Sequence, residues 1–110
     1  MRRMIELITE PVFITVNGGS GETKTMRFDD ASYTYLGRIV KQSFEDIFIE
    51  NQGPGTVRIA FEEHVDAAGG ALNGVKTLKN NQSISFKKSI TYIKIYFQGD
   101  AIVDLVLKVG

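Results

Sequence analysis

A chain of 110 residues, 43% apolar and 24% charged, has the composition of an ordinary globular protein and is expected to form one domain, residues 1–110. Thirteen basic residues balance thirteen acidic ones, so the basic excess needed for sequence-independent nucleic-acid binding is missing. There is no cysteine, which excludes disulfides, thiolate metal sites and cysteine nucleophiles.

The first ten residues carry Arg2 and Arg3 but no apolar stretch of signal-peptide length behind them, and no later run approaches the roughly 20 residues that cross a bilayer. A soluble protein made in the cytoplasm, with no membrane partner, is expected. Ile5, Leu7 and Ile8 are apolar, and Pro11 separates them from the body. Residues 1–10 therefore read as an arm that could add as a strand to a neighbouring copy, with these three as oligomer contacts.

From Val12 onward the organising signal is period two, built from β-branched and aromatic residues. Val12–Val16 and Thr23–Phe28 flank the glycine-rich tip Asn17–Gly21. Asp30–Gln42 is ambiguous: Tyr33, Tyr35, Leu36, Ile39 and Val40 fit a short helix or a further strand, and Gly37 weakens the helix. Ile47–Glu50 and Thr56–Glu62 are strands about the turn Gln52–Gly55, which reads as a hairpin. Asp66–Gly74 reads as a longer loop. Ile84 and Phe86 alternate with serines and Lys87, and Ile93, Ile95 and Phe97 share one face of the next strand. Gly99–Asp100 reads as a tight hairpin before Ala101–Val109, in which Val103, Leu105, Leu107 and Val109 alternate. The fold expected is all-β: an antiparallel β-sandwich or jelly roll of about eight strands, with at most one short helix.

Catalytic chemistry has little to draw on. His64 is the only histidine, so a histidine-rich metal site cannot be built within one subunit; neither metal nor cofactor is expected. Gly18-Gly19-Ser20-Gly21 lacks the Lys-Ser/Thr ending of a phosphate loop, and no serine sits in a G-x-S-x-G elbow. No catalytic residue is assigned, and the chain is not expected to be an enzyme. Binding has more to work with. Tyr92 and Tyr96 are four apart on a strand with Lys94 between them; exposed, the three would form an aromatic strip for sugar rings or a protein partner. Covered, they pack beneath a loop or helix.

Charge is segregated along the chain. Glu45 to Asp66 is clearly acidic, whereas Ala67 to Gln98 holds Lys76, Lys79, Lys87, Lys88 and Lys94 and no acid. Such segments either pair within the domain, which is the simpler expectation, or dock neighbouring copies head to tail.

The second half also has a recognisable layout. Ile47-Phe48-Ile49-Glu50-Asn51-Gln52-Gly53 leads to Val57–Phe61, then a small-residue loop, Leu78-Lys79-Asn80-Asn81-Gln82-Ser83-Ile84-Ser85-Phe86, and Ile93–Ala101. Over residues 44–109 this order resembles small β-sandwich structural proteins of tailed bacteriophages, of the capsid decoration, head-fibre or tail-associated kind. Asn80-Asn81-Gln82 stands where the family often has Pro-Gly. The resemblance implies a virion structural protein, made in the host cytoplasm, that binds copies of itself and other virion proteins. A decoration or cement protein on the capsid is the leading expectation. A tail- or neck-associated protein and a carbohydrate-binding β-sandwich module are the alternatives.

Overall fold

The computed structural model describes residues 7–69 and 74–110. These form ten strands: β1 (Val12–Gly18), β2 (Thr23–Arg27), β3 (Tyr33–Tyr35), β4 (Arg38–Val40), β5 (Phe44–Pro54), β6 (Val57–Ala60), β7 (Val75–Leu78), β8 (Ser83–Ile90), β9 (Tyr92–Phe97) and β10 (Ala101–Lys108). A single 3-10 turn, Ala67–Gly69, is the one helical piece among them. The all-β sandwich expected from alternation is what the chain forms.

The pairing is nested. β1 pairs with β10, β2 with β9, β5 with β8 and β6 with β7, all antiparallel. Pairing of β10 with β5 and of β9 with β6 then joins these ribbons into two four-stranded sheets, β1-β10-β5-β8 and β2-β9-β6-β7. A long two-stranded ribbon rolled up in this way is a jelly roll. The glycine-rich tip Asn17–Gly21 and the turns read from sequence as hairpins at Gln52–Gly55 and Gly99–Asp100 are corners instead, each carrying the chain from one sheet to the other. Local turn chemistry is the same in both cases, and only long-range pairing separates them.

Alternation puts Val12 and Ile14, then Ile47 and Ile49, then Val103, Leu105 and Leu107 on the inner face of the first sheet. Val57, Ile59, Ile93, Ile95 and Phe97 answer from the second sheet, and these side chains are almost wholly buried. The ambiguous Asp30–Gln42 is neither a helix nor a sandwich strand. It is the separate hairpin β3–β4, docked by Tyr33, which meets Phe28 edge-to-face at 5.3 Å; Phe28 meets Phe44 at 5.2 Å.

Its two-residue turn, Leu36–Gly37, has positive φ at both positions (52° and 78°), as twist-matched hairpin turns require. A left-handed leucine that is 79% exposed gains no packing to offset the backbone cost. Leu36→Asn is therefore expected to stabilise the domain by about 1 kcal/mol, visible as a melting temperature raised by about 4 °C.

Asn51 is the one polar residue fully buried in the described core. Its Nδ2 donates to the carbonyls of Gly55 (2.8 Å) and Leu78 (2.9 Å), and its Oδ1 accepts from the Gly53 N–H (2.8 Å). Its own backbone pairs with Gln82 and Asn81. The side-chain amide thus ties the end of β5 to the Gln52–Gly55 corner and to β7 of the opposite sheet. Beside it the corners cross so closely that a Cβ on Gly55 would lie 2.5 Å from the Gly99 carbonyl carbon. Asn51→Ala would orphan one donor and two acceptors, and we expect a loss of about 2–4 kcal/mol in urea unfolding.

Candidate functional site

Tyr92, Lys94 and Tyr96 lie on the outer face of the second sheet, opposite in phase to Ile93, Ile95 and Phe97. Across the ladder they face Arg27, Thr25 and Thr23 of β2, and Lys94 and Tyr96 face Ala60 and Arg58 of β6. They do not form an open aromatic strip. Tyr92 is only 8% exposed, with the Arg27 guanidinium 5.4 Å and the Lys94 ammonium 5.7 Å from its ring centroid. Tyr96 is half-buried.

The cations that flank Tyr92 hold down the loop after β6. Lys94 Nζ donates to the carbonyls of Glu63 (2.8 Å) and Val65 (3.0 Å), and Arg58 donates to the Ala68 carbonyl at 3.2 Å. Arg27 reaches both carboxylate oxygens of Glu63, at 2.8 and 3.3 Å, and Asp29 at 2.9 Å. The 3-10 turn places Ala67 over this face, and Ala67 and Ala60 are buried there. Tyr92 and Lys94 are thus parts of a clasp, the covered of the two arrangements open in the sequence. Arg27 was not singled out in the sequence. Its role depends on the Arg27–Tyr92 register, which no local pattern reveals.

The N-terminal contacts divide. Ile5 lies outside the described residues. Leu7 is 58% exposed, but Ile8 is completely buried in the chain's own core. The Gln42 side chain accepts from the Ile8 N–H (2.8 Å) and donates to its carbonyl (2.9 Å), copying a strand pair, and Arg38 grips Glu10 at 2.8 Å. From Ile8 onward the segment therefore belongs to the domain, and the free arm expected over residues 1–10 does not extend to Ile8.

Nor do the segregated charges pair off as expected. Asp46 faces Lys87 in register, yet its ion pair is with Lys108 at 3.6 Å. His64, 80% exposed, lies 3.3 Å from Glu62. Among the described residues Lys76, Lys79, Lys87 and Lys88 make no ion pair. No cluster of three or more metal-ligating side chains occurs among the described residues either.

The outer face of the first sheet was not anticipated as a site. Phe13 of β1 pairs with Val106 of β10, which pairs with Phe48 of β5. Phe13 is 63% and Phe48 37% exposed, so an apolar row crosses the sheet in solvent. On one side of it runs Lys108–Asp46–Lys87, with two lysines and one aspartate; on the other runs Thr15–Asp104–Glu50–Ser83, with two acids. Thr15 donates to Asp104 at 2.8 Å, and Gln52 donates to both Asp104 (2.9 Å) and Glu50 (2.8 Å), which fixes the acidic row.

The described elements define a jelly-roll β-sandwich with a clasped loop on one outer face and an apolar row on the other. No protein-family model matches the chain, and no curated protein matches its sequence. Among solved structures, two of the tobacco streak virus coat protein align over 97% and 96% of this chain and 92% and 91% of theirs. Their TM-scores are 0.41 and 0.39, at 9% and 10% identity, and at that level of likeness no function is inferred from them.

Several exposed carboxylates titrate below their ordinary range. Glu22 is lowered chiefly by the Gly19 N–H and then by Lys24, Glu10 by the Arg38 hydrogen bond, and Asp30 by Ser32. A native pKa below the unfolded value means stability that is complete above the ordinary pKa and lost as pH falls through the native one. The urea midpoint is therefore expected to fall with acidification below about pH 4.5, the ordinary glutamate value, and Glu22→Gln should make that fall shallower.

Proposed function

We propose that this chain is a virion structural protein, of the capsid decoration or cement kind, that binds a shell and associates with copies of itself. The observation that carries the proposal is the solvent-facing row Phe13–Val106–Phe48 across one sheet of a jelly roll. Jelly rolls serve as capsid, lectin and cupin domains, and a fold alone does not choose among them. The cupin role has no histidine set to use, since His64 stands alone. Of the two tyrosines a lectin platform would use, Tyr92 is only 8% exposed beside the clasped loop. An exposed apolar row on a sheet face is a surface for protein contact. The layout of residues 44–109, similar to small phage structural proteins, points the same way.

The flanking rows favour one geometry for self-association. With a twofold axis along the apolar row, the Lys108–Asp46–Lys87 row of one copy (net +1) faces the Asp104–Glu50 row of the other (net −2). An axis along the strands would set like against like, which costs several kcal/mol. Sedimentation of the intact protein should show concentration-dependent dimers or larger species, and the protein should bind purified shells. The double variant Phe13→Glu/Phe48→Glu should sediment as a monomer with an unchanged circular dichroism spectrum. A wild-type monomer at every concentration that also ignores shells would refute the proposal.

A further inference from the structure

At the edge of the sandwich where β7 and β8 each lack an outer neighbour among the described residues, the two sheets part over a groove of about 400 Å³. The described residues lining it are Phe61, Glu62, Gly74, Lys76, Phe86, Lys87 and Lys88. Phe61 and Phe86, one from each side, meet edge-to-face with centroids 5.0 Å apart and make an apolar floor. Both rings are half-buried and pack against the core.

The lysines are unusually placed. Lys76 pairs across from Ile59 and shares its phase with the buried Leu78, so it occupies a core-facing position that opens at the edge. Lys87 and Lys88 stand where the β5–β8 register slips between Phe44 and Asp46, so that Lys88 and Ser89 together oppose Glu45. Lys24 of β2, in the corresponding phase at the opposite edge, pairs with Glu22 at 3.4 Å. Lys76, Lys87 and Lys88 have no such partner among the described residues. The one carboxylate of the lining, Glu62, lies against His64.

We infer that this groove binds a small aromatic anion, with its ring against Phe61 and Phe86 and its carboxylate, sulfonate or phosphate between Lys76 and Lys88. The volume is that of small-molecule sites, and ligands in such sites are held by apolar walls with a few placed polar groups. Charged donors in a partly enclosed groove bind an anion more strongly than lysines on an open face. The rival role for these lysines is to blunt the two free edges against pairing with other chains. That role needs neither the phenylalanine floor nor a cavity.

Titration of the full chain with 1-anilinonaphthalene-8-sulfonate at low salt separates the two roles. Expected are saturable fluorescence with one site and amide shifts confined to Phe61, Lys76, Phe86 and Lys88. Lys76→Gln/Lys88→Gln, with unchanged melting, should weaken the affinity about tenfold. The uncharged N-phenyl-1-naphthylamine should bind more weakly than the sulfonate. No saturable binding by the wild type, shifts centred elsewhere, or an unchanged affinity in the double variant would each overturn the inference. The last, together with aggregation of that variant, would assign the lysines to edge protection. Oligomer formation is read separately, so this result and the self-association result can fail independently.

Discussion

The side-chain amide of Asn51 is the contact on which the rest of the architecture depends. A nested ribbon rolled into two sheets has to turn corners between the sheets, and at a corner the strand ladder ends and backbone polar groups lose their partners. Asn51 supplies those partners at the point where β5 leaves its sheet: it takes up the Gly53 N–H and the carbonyls of Gly55 and Leu78 within 2.9 Å. The ladder between β5 and β10 skips a residue there, which turns Gln52 outward onto Glu50 and Asp104 while Asn51 stays inside. Setting one polar group in an apolar core is favourable only because every one of its hydrogen-bonding atoms is used. Pairing of Val12 with Leu107 then joins chain segments nearly the whole sequence apart.

The strands were legible because period two is a local signal. Ile93–Ile95–Phe97 and Val103–Leu105–Leu107 alternate in the sequence and lie buried in the structure. Which strand neighbours which was not legible, since Gly99–Asp100 has the same turn chemistry whether it closes a hairpin or crosses between sheets. Leu36 misled for a related reason. A leucine does not announce a left-handed turn, so Asp30–Gln42 stayed open between a short helix and a further strand. Ile8 shows the limit of reading apolar residues as arms: its side chain joins the core, and its backbone pairs with the Gln42 side chain, 34 residues away.

The candidate sites follow the same division. Tyr92 and Lys94 share a face, as their spacing says, but what covers that face is set by Glu63 and Val65 in a loop whose path the sequence does not give. The row Phe13–Val106–Phe48 is assembled from three strands far apart in the chain, and it exists only once register is fixed. Each of its members, taken alone, is an unremarkable outward apolar residue. The segregation of charge was visible from the start, but its outcome was not: Glu63 and Asp46 of the middle segment pair with Arg27 and Lys108, Lys94 holds loop carbonyls, and Lys76, Lys79, Lys87 and Lys88 make no ion pair among the described residues.

The approach of Gly55 to Gly99 has a consequence for how this fold can vary. At that pole bare main chain crosses bare main chain, so neither a side chain nor an inserted residue fits without prising the sheets apart. The opposite pole carries the β3–β4 excursion and the clasped loop, whose lengths are not fixed by any such crossing. Lineages of this domain would diversify, and engineers could graft foreign peptides, more readily at that second pole than at the crossing.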